Sequence, residues 1–188
     1  MTLDIQRELI PRNDTLRLIG TLNAMKAKFA DSAQQWQLLD ESGDVPAKPS
    51  STELFQHAAG AQDLSRDVVQ LTGDFAASPH STNRAGRATL ARLATASTMS
   101  AHAASHFAET AEAALVLPRS SSPTDQHYLK NRMVIDHATA RGYLRRTSES
   151  LRDAAKELDD HLDFHRFFPA PSHSESPVPP PRPSGRHR

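Results

Sequence analysis

The sequence predicts an all-α protein: an antiparallel up-down-up-down four-helix bundle followed by a disordered, proline-rich C-terminal tail. Three observations predict it. Ala and Leu together number 46 of the 188 residues, against 10 for Ile and Val, so helix formers abound and strand formers are scarce. Four long segments each carry one apolar stripe with gaps that alternate between three and four residues, the spacing of a helical seam. The connections between them are short, which sets sequence neighbours antiparallel. A hairpin pair that completes its core by dimerising is the alternative architecture. Residues 1–13 read as a lead-in, 14–166 as the bundle and 167–188 as the tail.

The first helix is expected from about Asp14 to Glu41, after the break at Pro11. Its stripe is Leu18, Leu22, Met25, Phe29, Ala33 or Ser32, Trp36 and Leu39. Ser42 to Ser50, with Gly43, Pro46 and Pro49, reads as a loop. Ser50 followed by Glu53 is a capping box, so the second helix starts near Ser51. Its stripe is Leu54, His57, Ala61, Leu64, Val68, Leu71 and Phe75, and Ser78-Pro79-His80 ends it. The third helix spans roughly Thr82 to Val116. Its best stripe is Leu90, Leu93, Ser97, Ala101, Ala104, Phe107 or Ala108, Ala111 and Leu115. Such small residues let helix axes approach closely but bury little apolar area per turn. Ser122-Pro123 reads as an N-cap with proline in the first helical position. The fourth helix then runs to about His165 along Leu129, Met133, Asp136, Ala140, Tyr143 or Leu144, Thr147, Leu151, Ala154, Leu158 and Leu162. It is long enough to overhang the bundle or to bend at Gly142.

Several chemistries are excluded. The chain has no cysteine, which removes disulfides, zinc ribbons, iron–sulfur clusters and thiol nucleophiles. Its seven glycines are scattered singly, so neither a GxGxxG loop nor a Walker A loop can be built. HExxH, GxSxG and inward Glu-x-x-His motifs do not occur. No apolar run is long enough for a transmembrane helix, and the start lacks the features of a signal peptide. A cytoplasmic location without membrane association is the expectation. No cofactor is expected.

Ten histidines are the remaining chemical resource. His102/His106 and His161/His165 are i, i+4 pairs, the spacing that puts two imidazoles on one helix face. With Glu109, His102 and His106 form a possible three-ligand edge on the face opposite the expected stripe, where a solvated surface is the ordinary reading. His161 and His165 lie beside the stripe of the fourth helix and could gather with His80 and Asp163 at one end of the bundle. A polar helix end that caps carbonyls is the plainer use. His57 alone sits squarely on a stripe, where Glu112 and His127 are its expected neighbours. His57, His161 and His165 are therefore the candidate metal ligands. Asp136 is a second core-edge polar group, and Arg or His on a facing helix is its ordinary partner. His57 with His102 and His106 resembles in outline the one-plus-pair histidine pattern of DinB-like metal-dependent bundles. The resemblance covers those three residues and implies a metal site. A metal-binding bundle with hydrolase or transferase activity, using His57 or the His161/His165 pair, is the alternative function.

Charge is uneven although Lys+Arg and Asp+Glu balance at 22 each. Arg119 to Arg146 holds six basic residues against two acidic, and Thr147 to Asp163 holds two against six. The fourth helix is thus basic, then acidic. Arg141, Arg145 and Arg146 could meet phosphates, but the acidic half would repel DNA and aromatics are few. Nucleic-acid binding is a second alternative. Pairing with an acidic neighbour, in this chain or in a second copy, suits this helix better. The tail contains Pro177-Val178-Pro179-Pro180-Pro181-Arg182, a P-x-x-P-x-R match in which Pro180 and Arg182 would contact a groove that reads polyproline. The expected function is that of a non-enzymatic bundle acting through protein–protein contacts.

Overall fold

The computed structural model describes residues 10–167, with side chains as far as Asp163. The tail, including Pro180 and Arg182, lies outside the described residues. The described residues form four α-helices: α1 (Arg12–Gln35), α2 (Ser51–Ala77), α3 (Arg84–Val116) and α4 (Pro123–Phe167). Short 3₁₀ turns, Pro79–Thr82 and Leu117–Arg119, join α2 to α3 and α3 to α4.

Local chemistry sets the helix starts. Ser50 Oγ accepts from Glu53 N–H at 3.2 Å, Asn83 Oδ1 from Gly86 N–H at 2.7 Å, and Ser122 Oγ from Asp125 N–H at 3.4 Å. Each satisfies one of the donors that a helix start leaves free. At the corner before α3 a side chain at position 86 would collide with the His80 carbonyl, so only glycine fits there.

Cross-helix hydrogen bonds fix the directions. Arg141 reaches Ala33 and Ser148 reaches Lys26, so α1 and α4 run antiparallel. Ser150 bonds the Arg92 carbonyl while Asp136 meets His106, and Ser100 bonds Ser65 while Ser97 meets Thr72, which gives the same sense to α3–α4 and α2–α3. Around the bundle the order is α1, α4, α3, α2. Three sides pack along their length, and the fourth, α1 against α2, scarcely closes. Trp36 shuts that side at one end, with ring atoms 3.0 and 3.1 Å from where a Gly60 Cβ would stand. At the other end a cavity of about 340 Å³ opens between Leu18 of α1 and Leu71 and Phe75 of α2. α2 and α4 lie on the diagonal and meet only through side chains.

The main core runs through the bundle, with Phe29 and Phe107 as its largest fully buried side chains. A second cluster gathers Leu38, Val45, Leu54, Leu117 and Met133 under the α1–α2 connection.

Two expectations are corrected. α1 ends at Gln35 rather than Glu41 because Trp36 leaves helical geometry (φ −76°, ψ 107°) to pack its indole against α2 and α3. The chain beyond then buries Leu38 and Val45, leaving Leu39 42% exposed. The buried face of α3 is also rotated from the expected stripe. It runs Thr89, Leu93, Ala96, Ser100, Ala103, Phe107, Thr110 and Ala114, while Ala101, Ala108 and Leu115 face outward. The hydroxyls of Ser100 and Thr110 are satisfied by Ser97 and His106 carbonyls of the same helix, so these residues are buried as readily as alanine. α4 is continuous through Gly142.

Two glycine substitutions check this reading by thermal or urea unfolding. Gly86→Ala is expected to lower stability by several kcal/mol or displace the corner. Gly73→Ala, in open space on α2, is expected to raise it by about 0.5–1 kcal/mol.

Candidate functional site

α4 carries Asp136 and His137 side by side. One residue of helix turns a side chain by roughly 100°, so the two face different neighbours. They anchor two separate polar clusters.

His137 points into the centre of the bundle and is 3% exposed. There it meets His57 of α2 across the diagonal, with ring centres 6.1 Å apart. Trp36 stacks on His57 at 5.2 Å. Phe107 of α3 stands edge-on to His137 at 5.2 Å and to Trp36 at 5.1 Å. His57 Nδ1 and His137 Nε2 are both buried without a hydrogen-bond partner. Burial pushes the His137 imidazole down to about 4, with smaller contributions from His57 and Arg141. Burial also lowers His57, against an opposing pull from Glu53. Both rings are neutral at pH 7 and carry free lone pairs.

Asp136 faces α3. Its Oδ1 accepts from His106 Nδ1 at 3.3 Å, and its Oδ2 lies 3.4 Å from Arg132 Nε. Glu109 completes the group, 3.8 Å from His106 and 4.0 Å from Arg132. The ligand atoms of His106, Glu109 and Asp136 lie within 4.8 Å of one another, close enough to hold one metal ion. A single Arg132 guanidinium lies between the two carboxylates, so the cluster bridges α3 and α4 as an ionic clasp. Tyr143 stacks on His106 and His102, at 5.8 and 5.2 Å.

The remaining candidates are dispersed. His57 does not meet Glu112 or His127: both are exposed, and His127 pairs with Asn131. His57, His102 and His106 do not form one site, which removes the geometric basis of the DinB-like resemblance. His106 does not face away from the bundle, because α3 is rotated from the expected register. His161 is buried, and its Nε2 accepts from the Ile10 N–H at 3.0 Å, so that nitrogen is spent holding the chain that leads into α1. His80 lies 3.6 Å from Asp14. The His165 side chain lies outside the described residues. Arg141 donates to the Ala33 carbonyl at 2.7 Å and to Gln37 Oε1 at 3.0 Å, capping the end of α1. Arg145 and Arg146 are exposed.

His137 is the member that sequence reasoning missed. Met133, His137, Ala140 and Leu144 follow the same four-three-four spacing as the other stripes, and all four are buried. Reading Asp136 as the stripe residue hid its neighbour.

No known protein family, curated protein or solved structure matches this chain.

The depressed histidines make stability pH-dependent. Between about pH 6.5 and 4 the unfolded chain binds protons that the folded His137 refuses. The stabilisation is complete above pH 6.5 and is lost as pH falls through that window, at up to about 1.4 kcal/mol per pH unit for each such group. Urea unfolding from pH 7 to 4.5 is expected to show a shallower slope for His137→Phe than for the parent chain. Equal slopes would remove His137 from the acid response. Arg141→Met, which leaves the Ala33 carbonyl uncapped, is expected to lose about 1.5–3 kcal/mol in the same assay at pH 7.

Proposed function

We propose that the protein is a non-enzymatic helical bundle that acts through protein–protein contacts, using one end of the bundle and the adjoining basic half of α4. The observation that carries this reading is where the exposed large hydrophobics sit. Leu16 and Val69 stand apart on α1 and α2; five of the eight exposed large hydrophobics among the described residues are Leu39, Phe55, Leu115, Val116 and Tyr128, 42–66% exposed. They belong to the segment after α1, the start of α2, the end of α3 and the start of α4, which antiparallel packing brings to the same end. Ile135, 64% exposed, lies two turns along α4 from Tyr128. Apolar side chains gathered at one end and bordered by polar groups are the usual marks of a protein contact.

The cavities support the same view. Three are open grooves between helices of about 340–460 Å³, and a fourth, about 260 Å³, lies on α4 alone between Thr139, Gly142, Tyr143 and Arg146. Ser78 and His80 share the α1–α2 cavity, but Ser78 Oγ donates to the Phe75 carbonyl and is not engaged by His80. The two-signed α4 supplies direction. Arg145 and Arg146 present positive charge beyond the apolar end, and six acidic residues follow from Glu149 to Asp163. A partner with the opposite order, or a second copy laid antiparallel, would match both halves.

A photo-crosslinking residue at Tyr128, with one at Gln70 as control, tests the reading in cell extract and in the purified chain. Tyr128 is expected to trap a protein, either a second copy or another chain, at least tenfold more efficiently than Gln70. Arg145→Glu with Arg146→Glu is expected to reduce that yield. Equal yields at the two positions would sink the proposal.

A further inference from the structure

The His57–His137 pair is not used by the proposed contact surface and calls for its own account. We infer that the two imidazoles form a two-coordinate site for a soft monovalent cation, copper(I), at the centre of the bundle. Four observations support it.

Of the four buried side-chain nitrogen or oxygen atoms without a hydrogen-bond partner among the described residues, two are His57 Nδ1 and His137 Nε2. Each leaves a desolvated polar group unsatisfied. The two groups sit on neighbouring rings, and one ion between them would satisfy both.

The spacing fits an ion. Two imidazoles on one metal, with metal–nitrogen bonds of about 2.0 Å, place their ring centres roughly 6 Å apart. The observed separation is 6.1 Å. A direct hydrogen bond between facing nitrogens would bring the rings roughly 1 Å closer.

The donor set selects the ion. Calcium and magnesium require oxygen ligands. Zinc takes four ligands, and the one metal-sized group of three or more ligands among the described residues is His106, Glu109 and Asp136, a different place. Two neutral imidazoles without a carboxylate suit a d¹⁰ monovalent ion, which accepts two nitrogens in line. Arg141, one turn beyond His137, also favours one positive charge over two.

The walls suit a weakly hydrated cation. Trp36 and Phe107 pack against the pair and keep water from it, which suits an ion that has shed its hydration. An ion held here would tie α2 to α4, the diagonal helices joined only through side chains.

Trp36 is the single tryptophan of the chain and is stacked on His57, so it reports on the site directly. The test is anaerobic titration of the full chain with copper(I), and with silver(I) as a redox-inert probe, followed by tryptophan fluorescence and by imidazole nitrogen NMR. Quenching that saturates at one equivalent is expected, with only the His57 and His137 resonances moving at that point and the Tm rising. His57→Gln and His137→Gln are each expected to weaken binding at least 100-fold. His102→Gln with His106→Gln should leave it unchanged. Three results would overturn the inference: no saturable quenching, resonance shifts confined to other histidines, or zinc(II) bound as tightly as copper(I). If either glutamine variant fails to fold, the NMR shifts in the parent chain decide alone.

Discussion

The stacking of Trp36 on His57 organises the rest of the molecule. The indole closes the α1–α2 side of the bundle and sets their approach through Gly60. It ends α1, because its ring cannot reach α2 and α3 while the backbone stays helical. It also aligns His57 with Phe107 and His137, so the ring that follows α1 and one ring from each of α2, α3 and α4 meet at the same level. A chain in which Leu, Ile, Val and Phe are scarce cannot define its register with aliphatic bulk everywhere. It does so at one aromatic layer, and the alanine-rich turns above and below follow.

Polar side chains do much of the remaining alignment. Ser148 and Ser150 bond carbonyls on α1 and α3, Ser65 bonds Ser100 across α2–α3, and Arg132 with Asp136, His106 and Glu109 clasps α3 to α4. Hydroxyls that reach a neighbouring backbone fix rotation and height in a way that methyl groups cannot. This suits a bundle whose helices approach through small residues, since a short side chain can span the gap only when the backbones are close.

Legibility in the sequence followed side-chain contrast. On α2 and α4 the large buried side chains are Leu, Val, Met and Phe against exposed Asp, Arg, Lys and Gln, and the stripes read from sequence follow the buried faces apart from His137. On α3 both faces are built largely from Ala, Ser and Thr, so hydrophobicity does not mark the inner one. The true face differs from the expected stripe by the exchange of Thr89, Ala96, Ser100, Ala103 and Ala114 for Leu90, Ser97, Ala101, Ala104 and Leu115. The helix boundaries signalled by Ser50, Ser122 and Pro123 were readable because capping is local. The end of α1 was not, since it depends on where Trp36 finds a surface. The same limit explains the sites: His57 was visible as an anomaly on its stripe, but its partner depends on which helices face each other across the diagonal.

The loosely closed α1–α2 side has a consequence for how the chain assembles. α2 packs on α3 and α3 on α4 through short connections, so these three helices form a meander whose contacts are close in sequence. α1 completes the bundle mainly against α4, linking residues more than a hundred positions apart, such as Ala33 with Arg141. Closing so long a loop is entropically slow compared with zipping adjacent hairpins. The contacts among α2, α3 and α4 are therefore the short-range ones of the fold, and those of α1 carry its longest loops. Because Trp36 directly follows α1, the aromatic layer is sealed by the segment held through the most distant contacts in the sequence.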